Sequence, residues 1–496
     1  MNATTAVTQE ERPAGFLALM RNRNYALLWW GQLVSEMGNR FHWVAVSLWV
    51  YSVTQSASAV SLAISSMFVG GLLVSLWAGA LVDRLDRKRI LILTDVVRSG
   101  LVALIPLLMS VDIRLVYLDL ALISIATAFF RPAIFAVLPT TVSRRDLLPA
   151  NSFFSAMDTG TEIAAPAIAG VIAFRYGYAP LLYVDAGTYA VSSLCILAMS
   201  IAPIMLQLGE RVRIGTIWRG VVEGLRYVRR DPLQWGLFVL MFPAYLVGSG
   251  LNALQTPLAK GVVGITDAEF GTFQSVWGVG FLTASLLLGW YGIRMRKSLI
   301  IIWGYFLAFA ATALMGLSRS FEILLVMGFS VGFANTFYYV GLSTVLMEHT
   351  SQEIIGRVFS TRQLVLNAMR VLSPLVFGAF ADRIGVREAI VVMAFVGALG
   401  TGVVVVRHPA IRRFDLTAPT SMSYGIGNLW RAIGGPIDTD FDGFQQRRLN
   451  LLSVTAVLAG WLVLLYWVPY FALGLPIAVL SLVRVGTAVR RRGWLP

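Results

Sequence analysis

The feature that most limits what this chain can fold into is a recurrence of long apolar runs. Six of them fall at Tyr25–Tyr51, Val60–Val82, Ile90–Met109, Leu115–Leu138, Ser152–Phe174 and Pro180–Met199. A polar stretch from Gln207 to Gln234 follows, and then six more: Trp235–Leu258, Phe270–Trp290, Leu299–Ser318, Ile323–Met347, Phe359–Ala381 and Ala389–Val406. Crossing the roughly 30 Å hydrocarbon layer as a helix takes about 20 residues, and each run is near or above that length. The expected fold is an all-α membrane protein with twelve transmembrane helices in two six-helix halves, plus a C-terminal apolar extension. The expected divisions are a cytoplasmic N-terminal segment (1–23), an N-terminal bundle (24–200), a linker (201–234), a C-terminal bundle (235–406), a polar tail (407–450) and a membrane hairpin or interfacial segment (451–496).

Composition supports this. Of 496 residues, 57% are hydrophobic and only 13% are charged, and the mean hydropathy is +0.73; soluble domains carry about 25% charge. The net charge of +14 sits in loops and comes with no basic patch interleaved with aromatics, so nucleic acid is not an expected partner. Cys195 is the single cysteine, which excludes an internal disulfide framework. His42, His349 and His408 are scattered. With no Walker lysine loop and no serine elbow, neither an ATP-driven pump nor an enzyme is expected, and no metal or cofactor is. Asp438, Asp440 and Asp442 mimic the start of a calcium loop, but Leu449 stands where its bidentate acid belongs. The polar N-terminus lacks a basic-then-apolar signal pattern.

Loop charge sets the orientation. One side collects Arg21, Arg23, Arg84–Arg89, Arg144, Arg145, the linker arginines, Arg294, Arg296 and Lys297; the other holds little beyond Arg114, Arg175, Lys260, Arg319, Arg383 and Arg387. Basic loops stay in the cytoplasm, so the N-terminus and linker are expected there. The linker segment from Glu223 to Pro232 has apolar and basic residues at helical spacing and reads as an amphipathic helix or a solvated tether. The two halves repeat: Pro166, Gly170 and Gly177 recur as Pro374, Gly378 and Gly385, each displaced by 208 positions.

The loop between the second and third runs reads Gly79-Ala-Leu-Val-Asp-Arg-Leu-Asp-Arg-Lys-Arg89. It resembles the corresponding loop of major facilitator superfamily transporters, and its weaker echo in the second half has Ile293 in place of Asp83. Further matches are Arg23-Asn24-Tyr25, Arg131-Pro132-Ala133, Leu148-Pro149-Ala150-Asn151 and Gly356-Arg357-Val358-Phe359-Ser360. Within the superfamily the chain is most similar to the bacterial branch that includes macrolide and enterobactin exporters. It departs from that branch at Asn39, where an Asp is common. The resemblance implies a secondary active transporter in a bacterial plasma membrane, exchanging protons for amphipathic drug-like or siderophore-like molecules and expected to act as a monomer in the lipid bilayer. An importer, a lipid-linked flippase or a non-transporting accessory protein are the alternatives. The resemblance also implies that Gly79, Asp83, Arg84 and Arg87, with Asp95 and Arg98 behind them, form a cytoplasmic gate. Asp83 then latches onto the start of the eleventh helix near Gly356–Ser360 and favours the outward-facing state.

Ionisable groups inside spanning helices are costly and are functional candidates by default. Glu36, Asp158 and Glu162 are the proton-coupling candidates, and Arg40, Arg131 and Arg370 their charge partners. Glu36 and Arg40, four apart, share a helix face and form either an ion pair or a proton site. Asp158 and Glu162, also four apart, are expected to be buried and to repel, so that one retains a proton. The repeat offset maps Glu162 onto Arg370, so the two halves place opposite charges at equivalent depths, whether or not the two side chains meet. Asp95 and Arg98 are expected to support the basic loop, and Asp185 to cap a helix. In relatives, the first, fourth, seventh and tenth helices line the substrate path; here they offer Trp43, Phe130, Asn252, Gln255, Asn335, Tyr338 and Tyr339, beside Phe129 and Phe337.

Overall fold

A computed structural model describes residues 15–82, 85–200, 214–291, 295–351 and 354–414. Asp83, Arg84, Ile293, the acidic turn at Asp438–Asp442 and the apolar segment from Leu451 lie outside these residues. The helices are α1 (Phe16–Met20), α2 (Arg23–Thr54), α3 (Ala57–Val82), α4 (Arg87–Leu108), α5 (Ile113–Thr141), α6 (Leu147–Tyr176) and α7 (Ala179–Ala198) in the first part. Then follow α8 (Ile214–Arg230), α9 (Pro232–Thr256), α10 (Asp267–Tyr291), α11 (Lys297–Gly316), α12 (Phe321–His349), α13 (Ile355–Ile384), α14 (Val386–Arg407) and α15 (Ala410–Arg413). No strand occurs among the described residues.

Local chemistry sets the boundaries. Side-chain oxygens of Asn22, Asp86 and Asp231 accept from free N–H groups at the starts of α2, α4 and α9, the usual helix N-cap. Gly177 and Gly385 end α6 and α13 at φ of 80° and 101°, a region that favours glycine. This explains one pair of repeat landmarks.

Twelve described helices have 20 to 32 residues, long enough to cross a bilayer. Ten are also apolar enough. The other two are α2 and α6, which carry Glu36, Arg40, Asp158 and Glu162 within their lengths. Their polarity is a consequence of what they line.

Helices α2–α7 pack as one bundle and α9–α14 as another, and the two meet along α6–α10 and α3–α13. By alternation, the loops α2–α3, α4–α5, α6–α7, α9–α10 and α13–α14 share one end, and α8 lies at the other, called here the linker end. The halves touch most closely away from the linker end. A Cβ on Gly170 would lie 2.6 Å from the Asp267 carbonyl and 2.8 Å from the Cα of Gly271, and one on Gly378 would strike Ser61. These are a second pair of repeat landmarks: both halves need a glycine where they approach closely across the interface.

Helix α8 occupies the stretch read as amphipathic. Gly224 is buried against the Arg357 carbonyl of α13, Val228 is fully buried, and Arg357 pairs with Glu223 at 2.6 Å. It is docked on the second half.

Candidate functional site

Between the halves lies a cavity of about 770 Å³, within the usual range for small-molecule sites. On α2, polar and aromatic residues recur at helical spacing as Gln32, Ser35, Glu36, Asn39, Arg40 and Trp43, and all six line it. Helix α6 adds Asn151, Asp158 and Glu162, α5 adds Phe130 and Arg131, and α13 adds Arg370. From the second half come Asn252, Gln255, Gln274, Trp277, Asn335 and Tyr338.

All three proton-coupling candidates and their three cationic partners therefore face one space. The pairing differs from the sequence expectation. Arg40 Nη2 reaches Glu162 Oε2 at 3.9 Å, from α2 to α6, and no ion pair joins Arg40 to Glu36. Glu162 does not meet Arg370, whose guanidinium lies 5.0 Å from the Phe68 ring centroid. The side chains of Arg40 and Glu162 are 36% and 40% exposed, and Asp158 is exposed. The expectation that both are buried is corrected here, because α6 turns both into an open cavity, while the like charge of Glu162 still acts against that of Asp158. The charges that act on Asp158 are Glu36, Arg131, Arg40 and Glu162.

Other expectations are relocated. Asp95 and Arg98 pair with each other inside the first bundle, 0% and 2% exposed, instead of supporting the basic loop. The Arg98 guanidinium is sandwiched between Phe130 at 4.0 Å and Tyr189 at 4.4 Å. Asp185 is no cap: it lies inside α7, wholly buried, with Oδ2 3.1 Å from His42 Nδ1. Of the gate residues, Arg87 donates to the Ala136 carbonyl at 3.4 Å and Gly79 lies within α3. Tyr339 is 47% exposed and, like Phe129 and Phe337, is absent from the cavity wall. Sequence reasoning missed Phe68, Gln274, Trp277 and the buried Asp119, although an acid within a spanning run was a sufficient signal for the last.

The cavity reaches Phe135, Leu138, Asn151 and Phe154 on its linker side. On the far side the halves are clasped. The Asp382 carboxylate of α13 accepts from Ala57 N (2.8 Å), Ser58 N (3.1 Å) and Ser56 Oγ (2.8 Å), and from Ser58 Oγ, at the start of α3. Across α6–α10, Ser275 Oγ accepts from Ala167 N at 3.0 Å and Tyr178 donates to Asp267 at 3.2 Å. The described state is open at the linker end and shut at the other.

A family model described as Major Facilitator Superfamily matches residues 28–259 and 237–489. The chain belongs to the major facilitator superfamily. This superfamily member is 27% identical over 376 residues to macrolide efflux protein A of Streptococcus pyogenes, covering 73% of this chain and 90% of the relative. It is 23% identical over 431 residues to the multidrug efflux pump Tap of Mycobacterium bovis, covering 82% and 100%. Among solved structures, a variant of the nucleoside transporter NupG aligns with a TM-score of 0.62 at 14% identity, covering 78% of this chain and 99% of that one. A bacterial homologue of the lysosomal transporter Spinster aligns at 0.60 and 15% identity, covering 79% and 97%. These structures share the fold of this superfamily member, a multi-pass membrane transporter and not an enzyme.

Proposed function

We propose that this protein exports amphipathic small molecules, organic cations and macrolide-like compounds among them, in exchange for protons by alternating access. The linker end is cytoplasmic in this reading, because basic loops collect there. The observation that carries it is the division of one cavity: Glu36, Asp158 and Glu162 come from one half, and a wall of Asn252, Gln255, Trp277, Asn335 and Tyr338 from the other. An amphipathic molecule entering from the linker end buries its apolar body against the second wall. Its cationic group meets Asp158 and Glu36, which a proton occupies when the substrate is absent. Substrate and proton then compete for the same carboxylates, and that competition couples their movements. The efflux names of the relatives support the direction.

The state change reverses the far-side clasp. Releasing Asp382 from the start of α3 opens that end, and the latch expected at Asp83 would close the linker end. The test is ethidium and erythromycin accumulation in everted vesicles under an imposed pH gradient. Accumulation that collapses with the gradient is expected. Equal accumulation with and without it, or none for either probe, overturns the reading.

A further inference from the structure

A second ionisable site lies inside the first bundle, outside the cavity. His42 of α2 is 7% exposed, Asp185 of α7 is 0% and Asp119 of α5 is 3%. The imidazole Nδ1 is 3.1 Å from Asp185 Oδ2, and Asp119 is close enough to His42 to feel its charge. Asp119 Oδ2 has no hydrogen-bond partner. The Thr188 hydroxyl donates to Asp185 Oδ1 at 3.3 Å. Gly38 makes the room, since a Cβ there would strike the Thr188 hydroxyl and the Asp185 carboxylate. None of the three ionisable residues lines the cavity.

We propose that His42, Asp119 and Asp185 form a buried proton-binding site that holds a second exchanged proton, besides the one that competes with substrate at the cavity carboxylates. Two carboxylates and one imidazole in a low-dielectric interior cannot all sit unpaired and charged. Neutralising the carboxyl lowers the cost of burying the unpartnered Asp119 oxygen, and a proton taken up by any one of the three changes the charge that the other two face. Position gives the site its use. Asp119 and Asp185 lie in the second turns of α5 and α7, and both helices begin at the end opposite the linker, where an exporter receives its proton. On the inner side, Tyr189, one turn after Asp185, donates to Asn39, which lines the cavity.

The proton leaves water on the far face and binds the cluster when that end is open. It passes to cavity water beside Asn39 when the linker end is open, and one positive charge moves inward. The other groups facing this region are Tyr189 from α7, the Asp95–Arg98 pair from α4 and Glu36 on α2 itself; Arg40 of α2 and Asp158 and Glu162 of α6 line the cavity, and α3 and α9 bring no acid or amine.

This inference rests on the proton-exchange reading, and its test separates the two. The full-length purified protein is taken from about pH 8 to about pH 6, with proton uptake followed by an indicator dye and carboxyl protonation by infrared difference spectroscopy. Asp119→Asn is expected to remove the band of a buried protonated carboxyl, and Asp119→Glu to restore one. His42→Gln is expected to lower proton uptake, and both Asp119→Asn and His42→Gln to move the pH midpoint of gradient-driven ethidium export by about one unit. Ethidium binding at fixed pH should change less than about twofold. A band and a midpoint that stay at wild-type values in folded Asp119→Asn and His42→Gln overturn the proposal. Export by the wild type that ignores the gradient overturns the exchange reading, while the infrared result still reports on the cluster.

Discussion

The two halves repeat one plan and line one cavity with different chemistry. The first brings Glu36, Arg40, Arg98, Arg131, Asp158 and Glu162; the second brings Arg370 as its one charged group, with amides, serine and aromatics. Behind its wall the first half also buries the acids Asp95, Asp119 and Asp185, whereas the second buries Arg362, held by the hydroxyls of Tyr245 (3.0 Å) and Ser343 (3.1 Å). A repeat conserves what the backbone needs, such as Gly170 and Gly378 at the interface. The side chains facing the cavity are free to differ, and the difference sets acids and arginines on one wall and amides and aromatics on the other; in the proposed exchange the first wall handles protons and the second receives the apolar body of the substrate.

Three substitutions can break or sharpen this comparison. The largest effect is expected at Asp158→Asn. A hydrogen bond to a charged group contributes about 1.5–3 kcal/mol, so ethidium binding should weaken about 10- to 150-fold and lose its pH dependence in a fluorescence titration. If binding stays pH-dependent, Glu36 or Glu162 carries the competition. Next is Asp382→Asn, which removes a carboxylate from a helix start. Such a charge stabilises by about 0.3–1 kcal/mol, and up to about 2 when partly buried, so the balance should shift away from the linker-open state by several-fold to about thirtyfold. Labelling of Ser155→Cys from the linker side, in a Cys195→Ala background, should fall accordingly. The smallest is Asn252→Ala, on the exposed second wall. A neutral hydrogen bond contributes about 0.5–1.5 kcal/mol net, so binding should weaken about 2- to 13-fold while the pH profile stays that of the wild type. A shifted profile there would end the division of labour between the halves.

Much of the site could be read from residue type. An ionisable group in an apolar run is costly enough to mark itself, and Glu36, Arg40, Arg131, Asp158, Glu162 and Arg370 all reach the cavity. Partners were harder. Spacing favoured Arg40 with Glu36 on one helix, yet the packing of α6 against α2 sets Glu162 beside Arg40. Adjacent aromatics were also ambiguous: Tyr338 faces the cavity and Tyr339 faces out, since neighbours on a helix point about 100° apart.

Sequence by itself determined where the long helices of the described residues run, the repeat and which loops carry the basic charge. Those follow from hydropathy over about 20 residues and from local caps, and need no knowledge of what packs where. Only the tertiary structure decided which end is shut, that Asp382 closes it, and that His42, Asp119 and Asp185 from three separate helices share one buried pocket. Such meetings depend on helix rotation and crossing, which are fixed by close contacts such as Gly170 on Gly271 and by no spacing along the chain.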